Sequence, residues 1–144
     1  MIRQATIADT DTAAVLALKL WPEHTADALA QEFSAFLKDP ECAVFLAFSG
    51  DSPIGFAQCQ LRHDYVEGTD SSPVGYLEGI YVTETARGKG IARTLLTACE
   101  NWAKAQGCTE FASDCELDNA ASRHFHAHTG FREANQIICF TKNL

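Results

Sequence analysis

Positive charge is scarce in this sequence: 11 Lys and Arg stand against 19 Asp and Glu, for a formal net charge of −8. A nucleic-acid-binding surface needs cations to meet phosphate, so that class of partner is not expected. No apolar run is long enough to span a bilayer. The start, Met1-Ile2-Arg3-Gln4-Ala5-Thr6, lacks the apolar core of a signal peptide. The expectation is a cytoplasmic protein without a membrane partner. Cys42, Cys59, Cys99, Cys108, Cys115 and Cys139 include no CxxC pair, which argues against a structural zinc site. They read as reduced, small hydrophobes. Repeats, low-complexity tracts and an interdomain linker are also missing.

What is there fits one globular domain over residues 1–144, with 47% hydrophobic and 10% aromatic residues. An acidic balance agrees with a cationic partner, because an acidic cleft attracts and focuses polyamines. The same charge also serves plain solubility.

Periodicity and turn chemistry predict the elements. Ile2 to Ile7 is a short strand, and Asp9-Thr10-Asp11-Thr12 starts a helix whose apolar face is Val15, Leu16, Leu18 and Leu20. Trp21-Pro22 interrupts it, and Thr25 or Asp27 opens a second helix with Leu29, Phe33, Phe36 and Leu37 at helical spacing. Ala43 to Phe48 and Ile54 to Leu61 form a hairpin around Ser49-Gly50-Asp51-Ser52-Pro53. Arg62 to Pro73 is a polar loop, and Val74 to Val82 a long strand. Ile91 to Gln106 is a helix ended by Gly107. Glu110 to Cys115 is a strand, Asn119 to Thr129 a helix stopped by Gly130, and Ile137 to Thr141 a last strand. This order predicts a mixed α/β sheet with one strand-to-helix crossover near its centre.

That crossover carries Arg87-Gly88-Lys89-Gly90-Ile91-Ala92. Glycines permit close approach of backbone to ligand, and a helix N-terminus offers free N–H groups and a positive dipole end. Phosphate oxygens suit such a place. Neither a Walker A loop nor GxGxxG is present, since Arg93 stands where the third glycine would fall.

The segment resembles the R/Q-x-x-G-x-G/A pyrophosphate loop of the GNAT superfamily, with Arg87, Gly90 and Ala92 at the defining places. Leu77-Glu78-Gly79-Ile80-Tyr81-Val82 resembles that family's central strand, and Asn119, Ser122, Gly130 and Phe131 its N-x-x-A/S…G-F segment. The resemblance covers nearly the whole chain in element order. It implies a central, mostly antiparallel sheet, splayed at an acetyl-CoA site and flanked by helices. It implies acetyl-CoA as cosubstrate, held by Ile80, Tyr81 and Val82, by Arg87, Gly88, Lys89, Gly90, Ile91, Ala92 and Arg93, and by Asn119.

Within the superfamily, Leu20-Trp21-Pro22-Glu23-His24, Arg62-His63-Asp64-Tyr65-Val66, Asp70-Ser71-Ser72-Pro73, Leu77-Glu78-Gly79-Ile80 and Ala112-Ser113-Asp114 resemble aminoglycoside 6′-N-acetyltransferases. That likeness implies aminoglycoside contacts at Trp21, His24, Tyr65, Glu78 and Asp114, with Glu133 the nearest acid to a further family position. The residue types suit a polyhydroxylated polycation: carboxylates for ammonium groups, flat rings for sugar faces. Each has a plainer alternative. Trp21 is also a core aromatic ending a helix, Tyr65 a pin for its loop, and Asp114 a cap before Leu117. A carboxylate in an apolar strand, as at Glu78, demands a partner.

The expected mechanism is direct attack in a ternary complex, with Glu78 or Asp114 as base. His126 stands seven residues after Asn119, where many GNAT enzymes carry a tyrosine acid. His124 and His128, one helical turn apart without a motif acid, do not make a metal site. Similar enzymes are often dimers, and an unpaired C-terminal strand offers an edge for pairing. The rival readings are a GNAT enzyme for a polyamine or protein amine, and a non-catalytic acyl-CoA sensor.

Overall fold

The run Cys42-Ala43-Val44-Phe45-Leu46-Ala47-Phe48 is apolar at every position, which a strand accepts when both its faces are covered. In the computed structural model, which describes residues 1–144, both faces are. Ala43, Phe45 and Ala47 pack with Ala57, Cys59, Leu77, Leu95, Leu96 and Cys99. Val44 and Leu46 pack on the opposite side with Phe56, Ala13, Leu16, Leu29 and Phe33. Three layers result, with two helices on each side of a sheet.

In chain order the elements are β1 (Ile2–Gln4), α1 (Thr10–Leu20), α2 (Ala26–Lys38), β2 (Cys42–Ser49), β3 (Ser52–Arg62), β4 (Val74–Val82), α3 (Ile91–Ala105), β5 (Phe111–Ser113) and α4 (Ala120–His128). The sheet runs β1-β2-β3-β4-β5. Its first three pairings are antiparallel, and β4 with β5 is parallel. The α3 crossover makes that last pairing possible. The sheet is thus the mixed, mostly antiparallel one expected.

Local chemistry sets the ends. The Thr25 hydroxyl caps α2 by accepting from Ala28 N at 3.1 Å, and Asn119 Oδ1 caps α4 by accepting from Ser122 N at 3.0 Å. Trp21 follows the last turn of α1.

Several expectations need correction. The buried face of α1 is Ala13, Ala14, Leu16 and Ala17, while Val15 is 57% exposed. Alanines bring this helix close to its neighbours, and Val15, about 100° round from Leu16, faces outward. β1 stops at Gln4 because Asp9 accepts from Thr6 N at 2.8 Å and folds Ile7–Asp9 into a 3₁₀ turn. β5 spans only Phe111–Ser113, with Glu110 O still accepting from Gly75 N at 3.1 Å just before it. Ile137 to Thr141 is not a strand: no regular element follows His128. Asn135 Nδ2 donates to Glu67 Oε1 at 3.1 Å, and this tie carries the chain over the 63–73 loop, not along a sheet edge.

Two hydrogen bonds from Arg3, each 2.8 Å, clamp Asp9. Bonding from Arg3 is the chief reason the Asp9 carboxyl is held at about 2, below the usual range. A depressed folded value stabilises the fold above the unfolded value of about 4. That stability is lost as pH falls through about 2. Asp9→Asn is therefore predicted to destabilise the protein by up to ~1 kcal/mol at neutral pH, the pair being solvent-screened. Urea titrations at stepped pH should show the difference narrowing as pH drops below about 4.

Candidate active site

The site begins with two irregularities in β4. On the β3 side, Gln58 faces Gly79 while Cys59 faces Leu77, so Glu78 has no opposite number. Such a bulge re-aims a side chain and kinks the strand. On the β5 side, parallel pairing ends at Leu77 opposite Ser113. Past that pair, the edge of β4 that faces β5 has no strand beside it through Ile80, Tyr81 and Val82. A gap opens in the sheet, with unpaired backbone groups on its wall.

Glu78 does not stand alone. Its Oε1 accepts from Gln60 Nε2 at 2.7 Å and from Arg62 Nε and Nη2 at 3.0 and 2.7 Å. Its Oε2 accepts only from Arg62 Nη2, at 2.9 Å, and so keeps spare acceptor capacity. The Glu78 side chain is 19% exposed and that of Arg62 39%. The Arg62 guanidinium also lies 3.4 Å from the centroid of the Tyr76 ring, and the Tyr76 hydroxyl donates to Asp114 Oδ2. Burial first, then that bond to Asp114, raises the Tyr76 phenol well above its ordinary value. Glu78 and Asp114 thus share one network, joined through Arg62 and Tyr76.

Trp21, His24 and Glu78 line one groove of about 320 Å³, with Glu32, Phe36, Gln58 and Gln60 among its other walls. Trp21 lies edge-on to Phe56 at 6.1 Å. A Cβ on Gly79 would come within 2.6 Å of the Trp21 ring, so only glycine lets the indole reach the strand. Tyr65, 76% exposed, lines an adjoining concavity of about 440 Å³ with Gln60 and Arg62. Glu133 is not drawn in. It accepts from Gln136 at 2.6 Å and lies 3.7 Å from Arg123 on the exposed segment after α4.

On the opposite face of the sheet, α3 starts at Gly90, which has φ +78°, as does Gly88. No side chain caps this helix, and no acidic residue stands in its first turn. Thr25 and Asn119 cap α2 and α4, whereas α3, like α1, has no side-chain cap, and the amides of Ile91, Ala92 and Arg93 are left bare. The space where either glycine would carry a Cβ is open. These features fit a pyrophosphate, with Arg87, Lys89 and Arg93 adding positive charge. Arg87 and Arg93 also serve the fold: Arg87 Nε donates to Val82 O at 2.9 Å, and Arg93 Nη2 to His128 O at 2.7 Å. Thr83 Oγ1, where β4 leads into this loop, is buried without a partner.

α4 brings His126 to β5. Its Nδ1 lies 2.7 Å from Ser122 O, and its Nε2 lies 2.9 Å from Ser113 Oγ. Asn119 Oδ1 is spent on its cap, which leaves the amide NH₂ available. The His124 and His128 rings stack at 3.8 Å, and no third metal-binding side chain joins them. Burial pushes the Cys42 thiol up to about 12, so it is no nucleophile near neutrality.

Sequence reasoning missed Gln60, Arg62, Tyr76, Glu32 and Ser113. A signal existed for two of them, Gln60 and Arg62. Gln58, Gln60 and Arg62 alternate along a strand whose other residues are mainly apolar, and period 2 puts them on one face. Tyr76 lies opposite Gln60 in the register.

Residues 9–131 match the sequence model of the Acetyltransferase (GNAT) family. Aminoglycoside N(6′)-acetyltransferase type 1 of Stenotrophomonas maltophilia is 46% identical over 140 residues, covering 96% of this chain and 90% of the relative. The protein of that name from Salmonella typhimurium is 39% identical over 141 residues, covering 98% and 97%. AAC(6′)-Iy in complex with the bisubstrate analog CoA-S-monomethyl-acetylneamine is similar in structure, with a TM-score of 0.95 and 38% identity over 100% of this chain and 98% of the other. Apo AAC(6′)-Ig from Acinetobacter haemolyticus gives 0.94 and 38%, over 100% and 99%.

The Arg62–Glu78 pair yields a stability prediction. Arg62→Met leaves a mostly buried carboxylate with Gln60 alone, and should cost about 1–2 kcal/mol in urea unfolding. Arg62→Met combined with Glu78→Gln should recover part of that loss, because no unpaired charge remains.

Proposed function

Since the chain belongs to the GNAT acetyltransferase family, we propose that it transfers the acetyl group of acetyl-CoA to the 6′-amine of aminoglycoside antibiotics, and so confers resistance to them. The observation that carries this reading is the gap between β4 and β5. An acidic and aromatic groove lies on its α1–α2 side, and an uncapped helix N-terminus on its α3 side. Donor and acceptor approach from opposite faces and meet at the gap. The 39–46% identity to aminoglycoside N(6′)-acetyltransferases supports that acceptor over other amines.

In the mechanism proposed, the amides of Gly88 to Arg93 hold the pyrophosphate, and the free edge of Ile80 to Val82 aligns the pantetheine arm, helped by the Asn119 amide. Trp21 and Tyr65 offer faces to the sugar rings, while Glu32 and Glu78 draw the ammonium groups. His24 borders the same groove. Glu78 takes the amine proton through water at Oε2, the oxygen with room for a further bond. Asp114 fixes Tyr76, and through it Arg62. A backbone N–H near Ile80–Tyr81 meets the developing oxyanion, and His126 supplies the proton that the departing thiolate needs.

We place the enzyme in the cytoplasm, where acetyl-CoA is at hand, and propose that it works as a homodimer. The support is the segment after α4, in which Ile137, Ile138 and Phe140 are 69%, 80% and 88% exposed. An apolar run so open invites a partner strand.

Thiol release from acetyl-CoA, with tobramycin or kanamycin set against their 6′-hydroxyl counterparts, tests the function. Release with the 6′-amino compounds alone is expected; equal release with both, or none with either, refutes it. Glu78→Gln should lower kcat/KM by about 100-fold or more. Gly90→Ala should raise KM for acetyl-CoA, because the left-handed φ of +78° is costly for alanine. Sedimentation of Ile138→Asp against the unmodified protein tests the dimer: the variant should run as a monomer.

A further inference from the structure

His126 is fixed by two short bonds whose chemistry is unequal, with Ser122 Oγ at a longer 3.3 Å from Nδ1. Its Nδ1 lies 2.7 Å from the Ser122 carbonyl oxygen, which only accepts, so Nδ1 carries a proton in every state that keeps this bond. In the neutral ring Nε2 is then bare and accepts from the Ser113 hydroxyl, 2.9 Å away. When His126 is protonated, the direction reverses. Nε2–H donates to Ser113 Oγ, and the serine proton must turn elsewhere. The acceptor within reach is Leu77 O, at 3.5 Å. That carbonyl belongs to the last residue of β4 paired with β5, at the mouth of the gap. Ser113 is half-buried between these two partners.

We infer that Ser113 is a catalytic residue that relays the proton from His126 to the leaving thiolate. The inference rests on the reading of His126 as the acid. As the tetrahedral adduct collapses, the C–S bond breaks and its electron pair stays on sulfur. Sulfur takes the Ser113 hydroxyl proton, and Ser113 Oγ takes the Nε2 proton of the imidazolium. His126 ends neutral, still donating from Nδ1 to Ser122. The proton lost by the amine passes to solvent, and one from solvent restores the imidazolium. The arrangement also explains how a histidine can stand at this place: the serine extends its reach to the strand edge.

Single-turnover acetyl transfer from acetyl-CoA to tobramycin, followed by rapid quench, tests the relay. Ser113→Ala should slow the transfer roughly ten- to 100-fold, with the KM of each substrate within about twofold of its original value. Ser113→Thr, which keeps the hydroxyl, should restore most of the rate. Ser113→Ala/His126→Asn should be no slower than the slower single variant, since the two act as one unit. A curved proton inventory in the unmodified enzyme should become linear in Ser113→Ala. If His126→Asn is slow while Ser113→Ala is not, or if the two losses multiply, the relay falls and His126 stands. If His126→Asn transfers at the full rate, the reading of His126 falls and takes the relay with it.

Discussion

Parallel pairing between β4 and β5 lasts for three residue pairs and then stops at Leu77 and Ser113. Backbone hydrogen-bonding groups left there must find other partners, so the place where the strands part is also the place where a ligand's amides and carbonyls are welcome. Two neighbours mark the parting. Asp114, the residue after β5, accepts from the Tyr76 hydroxyl, and Glu78, the next of β4, sits in a bulge against β3.

Charge then separates the two sides of the opening. On the α1–α2 side, Glu32 and Glu78 share a groove with Trp21, a setting that favours a polycation. On the α3 side, a bare helix end with Arg87, Lys89 and Arg93 favours a polyanion. A chain of net charge −8 would repel a CoA-like anion from most of its surface, so this basic corner matters more than its size suggests. Arg62 is the exception within the acidic groove. It holds Glu78 in place through Nε and Nη2, and it stacks on Tyr76, whose hydroxyl donates to Asp114.

Much of this was legible in the residues. Val74–Val82 and the α3 helix were bounded to within a residue, because long, strongly periodic elements advertise themselves. Gly88 and Gly90 were legible too, since positive φ before a helix has few other solutions. The partners of Glu78 were not: hydrogen bonding between strands depends on register, and the bulge that sets it leaves no signal in composition. The 137–141 segment has strand-like residues but no edge beside it within one copy, so its pattern predicted a pairing that a single chain does not make. Ser113 looked like a small strand residue, and only its distance to His126 gives it chemistry.

If donor and acceptor reach the gap from opposite faces of the sheet, amide NMR titrations of the ¹⁵N-labelled protein will separate their footprints. Coenzyme A should move the signals of Gly88, Gly90, Ala92 and Ile80–Val82. Tobramycin should move the Trp21 indole and the Gln58 and Gln60 side-chain amides. Coenzyme A that leaves the Gly88–Arg93 amides unmoved, or tobramycin that perturbs them instead of the Trp21 groove, would contradict the account.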